Sequence, residues 1–168
     1  FEIDAIRKFS DKPVTANLMR GFRRIDYWEI AKHMDIASWD AYPYWHRDDA
    51  GIEHADICFN HDFFRSIKGG KPFLLMESTP SMPNWHDINK LKRPGVNRLG
   101  GLQAVALGSD SVQYFQWRMA RGNVEKFHGA VVSHEGSENN RVFREVASLG
   151  ETLEKLDSIV GCPVDSEV

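Results

Sequence analysis

The segment 71–85, "KPFLLMESTPSMPNW", places a glutamate at the end of a short apolar run. A run of this length and character favours a buried strand. A carboxylate at the end of such a strand costs several kcal/mol unless a hydrogen bond or a functional need for its charge compensates. Glu77 is therefore predicted to be either satisfied by hydrogen bonds or functional.

Three further apolar or β-branched runs occur along the chain, at residues 13–18, 35–39 and 111–117. Together with residues 72–76 they make four predicted strands. Loops follow all four, and helical patterns follow most of them. Strands that alternate with helices indicate parallel β/α units, because parallel strands need a crossover connection.

The helical patterns are amphipathic. Between the first two runs, apolar residues recur at helical spacing, and one predicted face consists of Ile25, Trp28, Ala31 and Met34. Residues 95–107 form another predicted helix, which Gly108 can end in a left-handed conformation. Residues 140–159 form the last helix, which is predicted to be the longest.

Polar and aromatic side chains fall where the predicted strands end: Asn17, Asp40, Tyr42, Glu77 and Arg118. In β/α barrels the loops at these carboxyl ends form the active site. The predicted fold class is α/β, a TIM-type β/α barrel of which this chain is about half. A complete doubly wound domain is the competing interpretation, but the sequence lacks the Gly-rich phosphate loop after a strand that favours it.

Composition restricts the function classes. The 168 residues are 42% hydrophobic and 27% charged, as in an ordinary soluble domain. The net charge is −3, and Lys and Arg are scattered, so a nucleic-acid partner is not expected. No stretch reaches the roughly 18 apolar residues of a spanning helix, so a membrane is not expected either. Cys58 and Cys162 are far apart and have no metal-ligand spacing, so free thiols, no metal and no cofactor are predicted.

Aromatic residues lie at or shortly after the predicted strand ends: Trp39, Tyr42, Trp45, Trp85 and Trp117. An aromatic rim beside acidic groups suits a ligand with apolar sugar faces and many hydroxyl groups. Core packing is the alternative for each of them taken alone. Glu125 and His128, three residues apart, are either half of a metal site or a solvated glutamate and a loop histidine.

Four blocks of sequence resemble the β-galactosidases of glycoside hydrolase family 42: "SWDAYP", "FNHDFFRSIKGGKPFLLMESTPSMPNW", "NKLKRPGVNRLGGLQAVALGSDSVQYFQWR" and "GNVEKFHGAVV". The resemblance implies an eight-fold β/α barrel that hydrolyses terminal β-galactosides with retention. It further implies that residues 1–160 are the second half of that barrel, strands five to eight, and that residues 161–168 lead to an assembly domain. A homotrimeric, cytoplasmic parent protein is also expected from it.

The same resemblance implies roles for individual residues. Glu77 matches the catalytic nucleophile at the end of the seventh strand. The sugar-binding residues of the family fall on Tyr42, Trp85, Glu125 and His128. Asn17 and Asp40 are expected to support them.

The resemblance leaves one catalytic group unassigned. The acid/base of the family is a glutamate after an asparagine at the end of the fourth strand, and this sequence contains no such pair; Glu53 lacks that context. A non-catalytic sugar-binding or structural barrel fragment is therefore the alternative function. A barrel hydrolase that acts on β-glucosides or β-arabinosides is a further one.

Overall fold

The computed structural model describes residues 2–46 and 50–164. Within these ranges one four-stranded sheet is flanked by helices, which confirms the predicted α/β class. The strands are β1 (Leu18–Met19), β2 (Ser38–Ala41), β3 (Phe73–Ser78) and β4 (Ser109–Val112). The α-helices are α1 (Glu2–Arg7), α2 (Tyr27–His33), α3 (Ala50–Ser66), α4 (Val96–Ala106) and α5 (Arg141–Glu154), and two 3₁₀ turns span Val124–Phe127 and Asp157–Ile159.

The strands pair in the order in which they occur along the chain, β1-β2-β3-β4, and every pairing is parallel. Helices connect β1 to β2, β2 to β3 and β3 to β4. A doubly wound domain has a point where the strand order switches direction. The four described strands contain no such point, and their order is the one expected within a β/α barrel.

The strand positions differ from the predicted ones by a few residues. Only Leu18 of the predicted strand 13–18 lies in β1. Before it, Val14 bonds to Asp35 on both sides: its N–H donates to Asp35 Oδ2 at 2.5 Å, and its carbonyl accepts from Asp35 N–H at 2.9 Å. β4 begins two residues earlier than predicted, at Ser109, whose hydroxyl accepts from Leu75 N–H at 2.9 Å, and it ends five residues earlier, at Val112 instead of Trp117. β3 extends past Met76, so Glu77 lies inside the strand and not after it.

The prediction of the longest helix was wrong. Helix α3 has 17 residues, whereas α5 has 14 and ends before the 3₁₀ turn at residues 157–159. Sequence analysis missed α3 because its buried face mixes apolar and polar side chains: Ile57, Asn60, His61 and Phe64. Two polar residues in the middle of the stripe interrupt the periodic apolar pattern that indicates an amphipathic helix.

The predicted face of α2 is half correct. Ala31 and Met34 are buried in the core, but Trp28 is 55% exposed. Tyr27 takes the expected place of Trp28 in the core, where its ring packs edge-on against Phe64. Helical periodicity identified the helix but placed its apolar face about one residue away from the true one.

A layer of rings under the sheet holds the core together. Trp39 of β2 is fully buried and stacks on Phe64 of α3, with ring centroids 5.3 Å apart. His61 stacks on Phe73 of β3, and its Nδ1 accepts a hydrogen bond of 3.2 Å from Trp39 Nε1. Trp39 is therefore a core residue, as the alternative to a rim position predicted, although it also lies next to the cavity described below.

Two predictions from composition concern the cysteines and the possibility of a membrane-spanning helix. Cys58 and Cys162 are both free, as predicted. Among the described residues, none of the helices combines the length and the apolar character that a membrane span requires. Of the predicted linker 161–168, residues 165–168 lie outside the described ranges.

Burial lowers the pKa of His61 from 6.5 to about 4. We expect the complete protein to lose up to roughly 3 kcal/mol of folding stability at this site as the pH falls from about 6.5 towards 4, because only the unfolded state is protonated in that range. His61→Gln keeps a hydrogen-bond acceptor for Trp39 but cannot titrate, so its stability should fall less over the same range. Urea unfolding at several pH values measures the difference.

The control is His33→Gln, since His33 is exposed on α2 and its ion pair with Glu29 is exposed as well, so that the pair contributes little stability. This variant should follow the pH dependence of the wild type. Equal slopes for His61→Gln and the wild type would contradict the assignment of a neutral, buried His61.

Candidate active site

A cavity of about 540 Å³ lies at the carboxyl edge of the sheet. It is bordered by all five residues that the sequence assigned to catalysis and sugar binding: Tyr42, Glu77, Trp85, Glu125 and His128. Asn17 and Asp40, which were expected to support them, also border it. The cavity therefore brings together residues from distant parts of the chain, from Asn17 to His128.

Glu77 faces this cavity from β3, next to the carboxylate of Asp40. The register of the parallel strands pairs Asp40 of β2 with Glu77 of β3. The amide Nδ2 of Asn17 donates to both, at 2.9 Å to Asp40 Oδ2 and 3.3 Å to Glu77 Oε2. The carboxylate that ends the apolar run is thus hydrogen-bonded, and it also borders a cavity that a ligand can enter.

Asp40 does not carry an ordinary carboxylate. Burial, followed by the neighbouring Glu77, raises the pKa of Asp40 to about 7, and the hydrogen bond from Asn17 offsets only part of this shift. Its Oδ1 is buried and has no hydrogen-bond partner among the described residues. Two carboxylates that share a site resist the loss of their second proton. Near neutral pH the pair therefore holds a proton that can be exchanged.

Tyr42 and Trp85 form an aromatic wall of the cavity. Their rings meet edge to face with centroids 5.3 Å apart, and the Tyr42 ring also meets His128 edge-on at 5.9 Å. Burial raises the pKa of the Tyr42 hydroxyl well above its usual value, and the carboxylates of Glu77, Asp40 and Glu125 raise it further. The hydroxyl consequently stays protonated and remains a hydrogen-bond donor.

Glu125 and His128 lie on and just after the 3₁₀ turn Val124–Phe127. Asn123 begins this turn, and its side chain accepts from Val124 N–H at 2.7 Å. His128 Nδ1 bonds the carbonyl of Gly129 at 2.8 Å, so Nδ1 carries the proton. No group of three or more His, Cys, Asp or Glu side chains in the described part of the chain is arranged to hold a metal ion.

Three buried polar atoms that border the cavity have no hydrogen-bond partner among the described residues. They are Asp40 Oδ1, Glu125 Oε2 and His128 Nε2. An unpaired buried polar atom costs about 1–3 kcal/mol. Three of them around one cavity, beside an aromatic wall, are the arrangement that a ligand with several hydroxyl groups would satisfy.

Sequence analysis missed some of the cavity residues and included others wrongly. Arg20, Phe22, Glu53 and Phe115 also border the cavity. Glu53, which the sequence analysis considered and set aside as the acid/base, comes from the missed helix α3, and its carboxylate accepts from Tyr44 N–H at 3.0 Å. Trp117 does not border it: the side chain is 66% exposed and packs against Phe143.

Fold and site together define a class of protein. Parallel β/α units bring acidic and aromatic side chains together at the carboxyl edge of the sheet, which is the construction of a β/α-barrel glycoside hydrolase. The model of the family Glyco_hydro_42, described as Beta-galactosidase, matches residues 1–156. The chain therefore belongs to glycoside hydrolase family 42.

Curated relatives support this membership over most of the chain. Beta-galactosidase Pbg of Clostridium perfringens is 55% identical in an alignment of 162 positions that covers 94% of this chain and 24% of that protein. Beta-galactosidase GanA of Bacillus subtilis is 52% identical in an alignment of 161 positions that covers 90% of this chain and 24% of that protein. The chain thus spans about a quarter of the length of these relatives.

Solved structures share the fold. A cold-adapted β-galactosidase from Rahnella sp. R3 superposes with a TM-score of 0.90 at 52% identity, covering 92% of this chain and 23% of that one. A catalytic mutant of the β-galactosidase Gan42B from G. stearothermophilus, in which a glutamate is replaced by alanine, gives 0.90 at 46% identity over 99% of this chain and 25% of that one.

Gly129 allows the two loops that border the cavity to approach closely. Its N–H donates to the carbonyl of Met82 at 2.8 Å. A Cβ at this position would lie 1.9 Å from Ser81 Oγ and 3.0 Å from the backbone N and O of Met82. The segment that carries His128 can therefore pack on the loop after Glu77 only if residue 129 has no side chain.

Gly129→Ala is expected to lower the stability of the complete protein by about 1–3 kcal/mol, because the backbone of Met82 cannot move out of the way as a flexible side chain could. The Tm measured by calorimetry reports this loss. Gly122→Ala is the control, since a Cβ at Gly122 meets nothing within 4 Å. Equal Tm values for the two variants would contradict the close approach.

Proposed function

We propose that the protein containing this chain is a retaining β-galactosidase that hydrolyses terminal β-D-galactosyl residues, and that this chain supplies its nucleophile, Glu77. The observation that carries the proposal is the set of three unpaired buried polar atoms around the cavity that Glu77 borders. The names of the curated relatives, which are β-galactosidases, support the sugar. The described catalytic mutation of a glutamate in Gan42B supports the residue type.

In the proposed reaction the Glu77 carboxylate attacks the anomeric carbon and displaces the leaving group, which forms a galactosyl ester. Water then cleaves this ester and restores the carboxylate. A carboxylic acid about 5–5.5 Å from the nucleophile protonates the leaving oxygen in the first step and activates the water in the second. We propose that this group belongs to the rest of the barrel, as a glutamate after an asparagine at the end of another strand.

The described residues around Glu77 have separate tasks in this proposal. Asn17 fixes one oxygen of the nucleophile through its amide. The protonated Tyr42 hydroxyl donates a hydrogen bond to Glu77 or to the sugar ring oxygen. Trp85 packs on an apolar face of the galactose. Glu125 and His128 bind its hydroxyl groups, and the carboxylate of Glu125, as a charged acceptor, forms the stronger hydrogen bonds.

We further propose that the four strands are the fifth to the eighth of the barrel and that residues 1–160 form its C-terminal half. The consecutive parallel order of the strands supports four successive units of one barrel, and Glu77 on the third of them corresponds to the seventh strand that the family resemblance implies. The coding sequence upstream of Phe1 tests it. An in-frame set of β/α units with a strand ending in Asn-Glu is expected there, and a start codon directly before Phe1 would favour the non-catalytic sugar-binding alternative.

Glu77→Gln in the complete protein should lower kcat for an aryl β-galactoside by several orders of magnitude, since the covalent step is lost. Galactose binding, measured by calorimetry, should change little, because the amide preserves the size of the side chain. Glu151→Gln is the control, since Glu151 is exposed on α5. A variant at Glu77 with wild-type kcat would overturn the proposed nucleophile.

An activated 2-deoxy-2-fluoro-galactoside should label the nucleophile covalently, because a good leaving group departs without acid assistance. Peptide mass spectrometry is expected to find the added mass on Glu77. A label on Glu125 would contradict the assignment, and the corresponding 2-fluoro-glucoside should label the protein far more slowly if galactose is the preferred sugar.

A further inference from the structure

Lys92 closes the loop that follows β3. This loop, residues 79–92, begins two residues after Glu77 and carries Trp85 into the wall of the cavity. Lys92 N–H donates to the carbonyl of Ser81 at 2.9 Å, and Lys92 Nζ donates to the carbonyl of Thr79 at 2.6 Å. Both bonds join the end of the loop to its start.

The ammonium group lies in an unusual environment for a lysine. Burial lowers the pKa of Lys92 to about 8. The negative charge of Glu145 raises this pKa, but it offsets only part of the effect of burial. No carboxylate of the described residues lies within ion-pair distance of Nζ. A buried ammonium is costly unless hydrogen bonds replace its hydration. The carbonyl of Thr79 is therefore a principal partner of this group.

The second partner of the ammonium connects the loop to the scaffold. Lys92 Nζ lies 3.4 Å from Oδ1 of Asn97, which is in the first turn of α4 and almost fully buried. Asn97 Nδ2 donates in turn to the hydroxyl of Tyr114 at 3.0 Å. The loop is thus tied through Lys92 to helix α4 and to the segment after β4.

Helix α5 holds the backbone of the same residue. Arg141 donates to the Lys92 carbonyl at 2.8 Å and pairs with Glu145 at 2.8 Å. Glu145 also accepts from Gly95 N–H at 3.3 Å. Lys92 is consequently fixed from α5 on one side, and its ammonium transmits this fixed position to Thr79 on the other.

Trp85 depends on the path of this loop. Its side chain is 57% exposed, and its ring contacts are edge contacts with Tyr42 and His86. Asn84 makes one further connection, from Nδ2 to the carbonyl of Val124 at 3.0 Å. A partly exposed ring with few packing partners is placed mainly by the backbone that carries it.

We propose that Lys92 is a positioning residue for the sugar site. Its ammonium binds the carbonyl of Thr79, directly after β3, and so fixes the path of the loop that places Trp85 against the sugar. The inference rests on the proposed function for its kinetic consequence. Trp85 packs on the sugar in the ground state and in the transition state alike. Loosening the loop should therefore raise KM more than it lowers kcat.

The kinetic test compares Lys92→Met with Lys90→Met in the complete protein. Both changes remove a lysine from the same loop, but Lys90 is exposed. At a temperature where both variants are folded, Lys92→Met should raise KM for an aryl β-galactoside by about tenfold with a smaller fall in kcat, and Lys90→Met should match the wild type. Lys92→Arg, which keeps the charge and the donors, should recover part of the loss.

Hydrogen exchange tests the loop without any substrate. In Lys92→Met, peptides covering residues 79–92 should exchange faster than in the wild type while the rest of the protein is unchanged. If the wild-type protein proves to have no β-galactosidase activity, the proposed function fails and the exchange result alone decides on the loop. If Lys92→Met does not fold, Lys92→Gln, which keeps a shorter donor, takes its place.

Two results would overturn the inference. One is an unchanged KM together with a lower Tm, which would make Lys92 a stabilising residue only. The other is exchange that is unchanged in the loop or faster throughout the protein, since neither outcome is specific to residues 79–92.

Discussion

The site depends on the parallel register that places Asp40 beside Glu77. Parallel strands end at the same edge of a sheet, so the carboxylate of Glu77 cannot avoid its neighbour on β2. Asn17, which directly precedes β1, is the residue whose amide reaches both carboxylates. Two neighbouring strands and the residue that leads into a third thus each contribute one member of a hydrogen-bonded group. A strand order other than β1-β2-β3 would separate them.

This group is destabilising by itself, and the layer beneath it compensates. Asp40 directly follows Trp39, which is fully buried in the ring layer with Phe64 and His61. The core fixes the backbone of β2 at the residue before the carboxylate, so Asp40 cannot turn away from Glu77 without disturbing that packing. A ligand that supplied partners for the unpaired atoms around the cavity would remove part of the strain and stabilise the fold.

The sequence predicted those features that depend on local pattern or on the family resemblance. Glu77 at the end of an apolar run and the parallel β/α order were both accessible in this way. The role of Trp39 was not, because a tryptophan near a strand end has the same sequence signal in a core as in a ligand wall. Helix α3 was hidden by Asn60 and His61 on its buried face. Glu53 of the same helix was considered only as the acid/base and was not expected to border the cavity. The role of Lys92 could not be predicted, because its partner is a backbone carbonyl, which every residue type carries.

The loop between β3 and α4 is held in place by two contacts to its backbone. Gly129 admits the backbone of Met82 on one side, and Lys92 binds the carbonyl of Thr79 on the other. Neither Gly129 nor Lys92 borders the main cavity. The shape of the site is therefore set from outside it, by residues that need not change when the ligand changes. The side chains inside the cavity are then left to determine which ligand fits, because altering one of them does not alter the backbone on which the others stand.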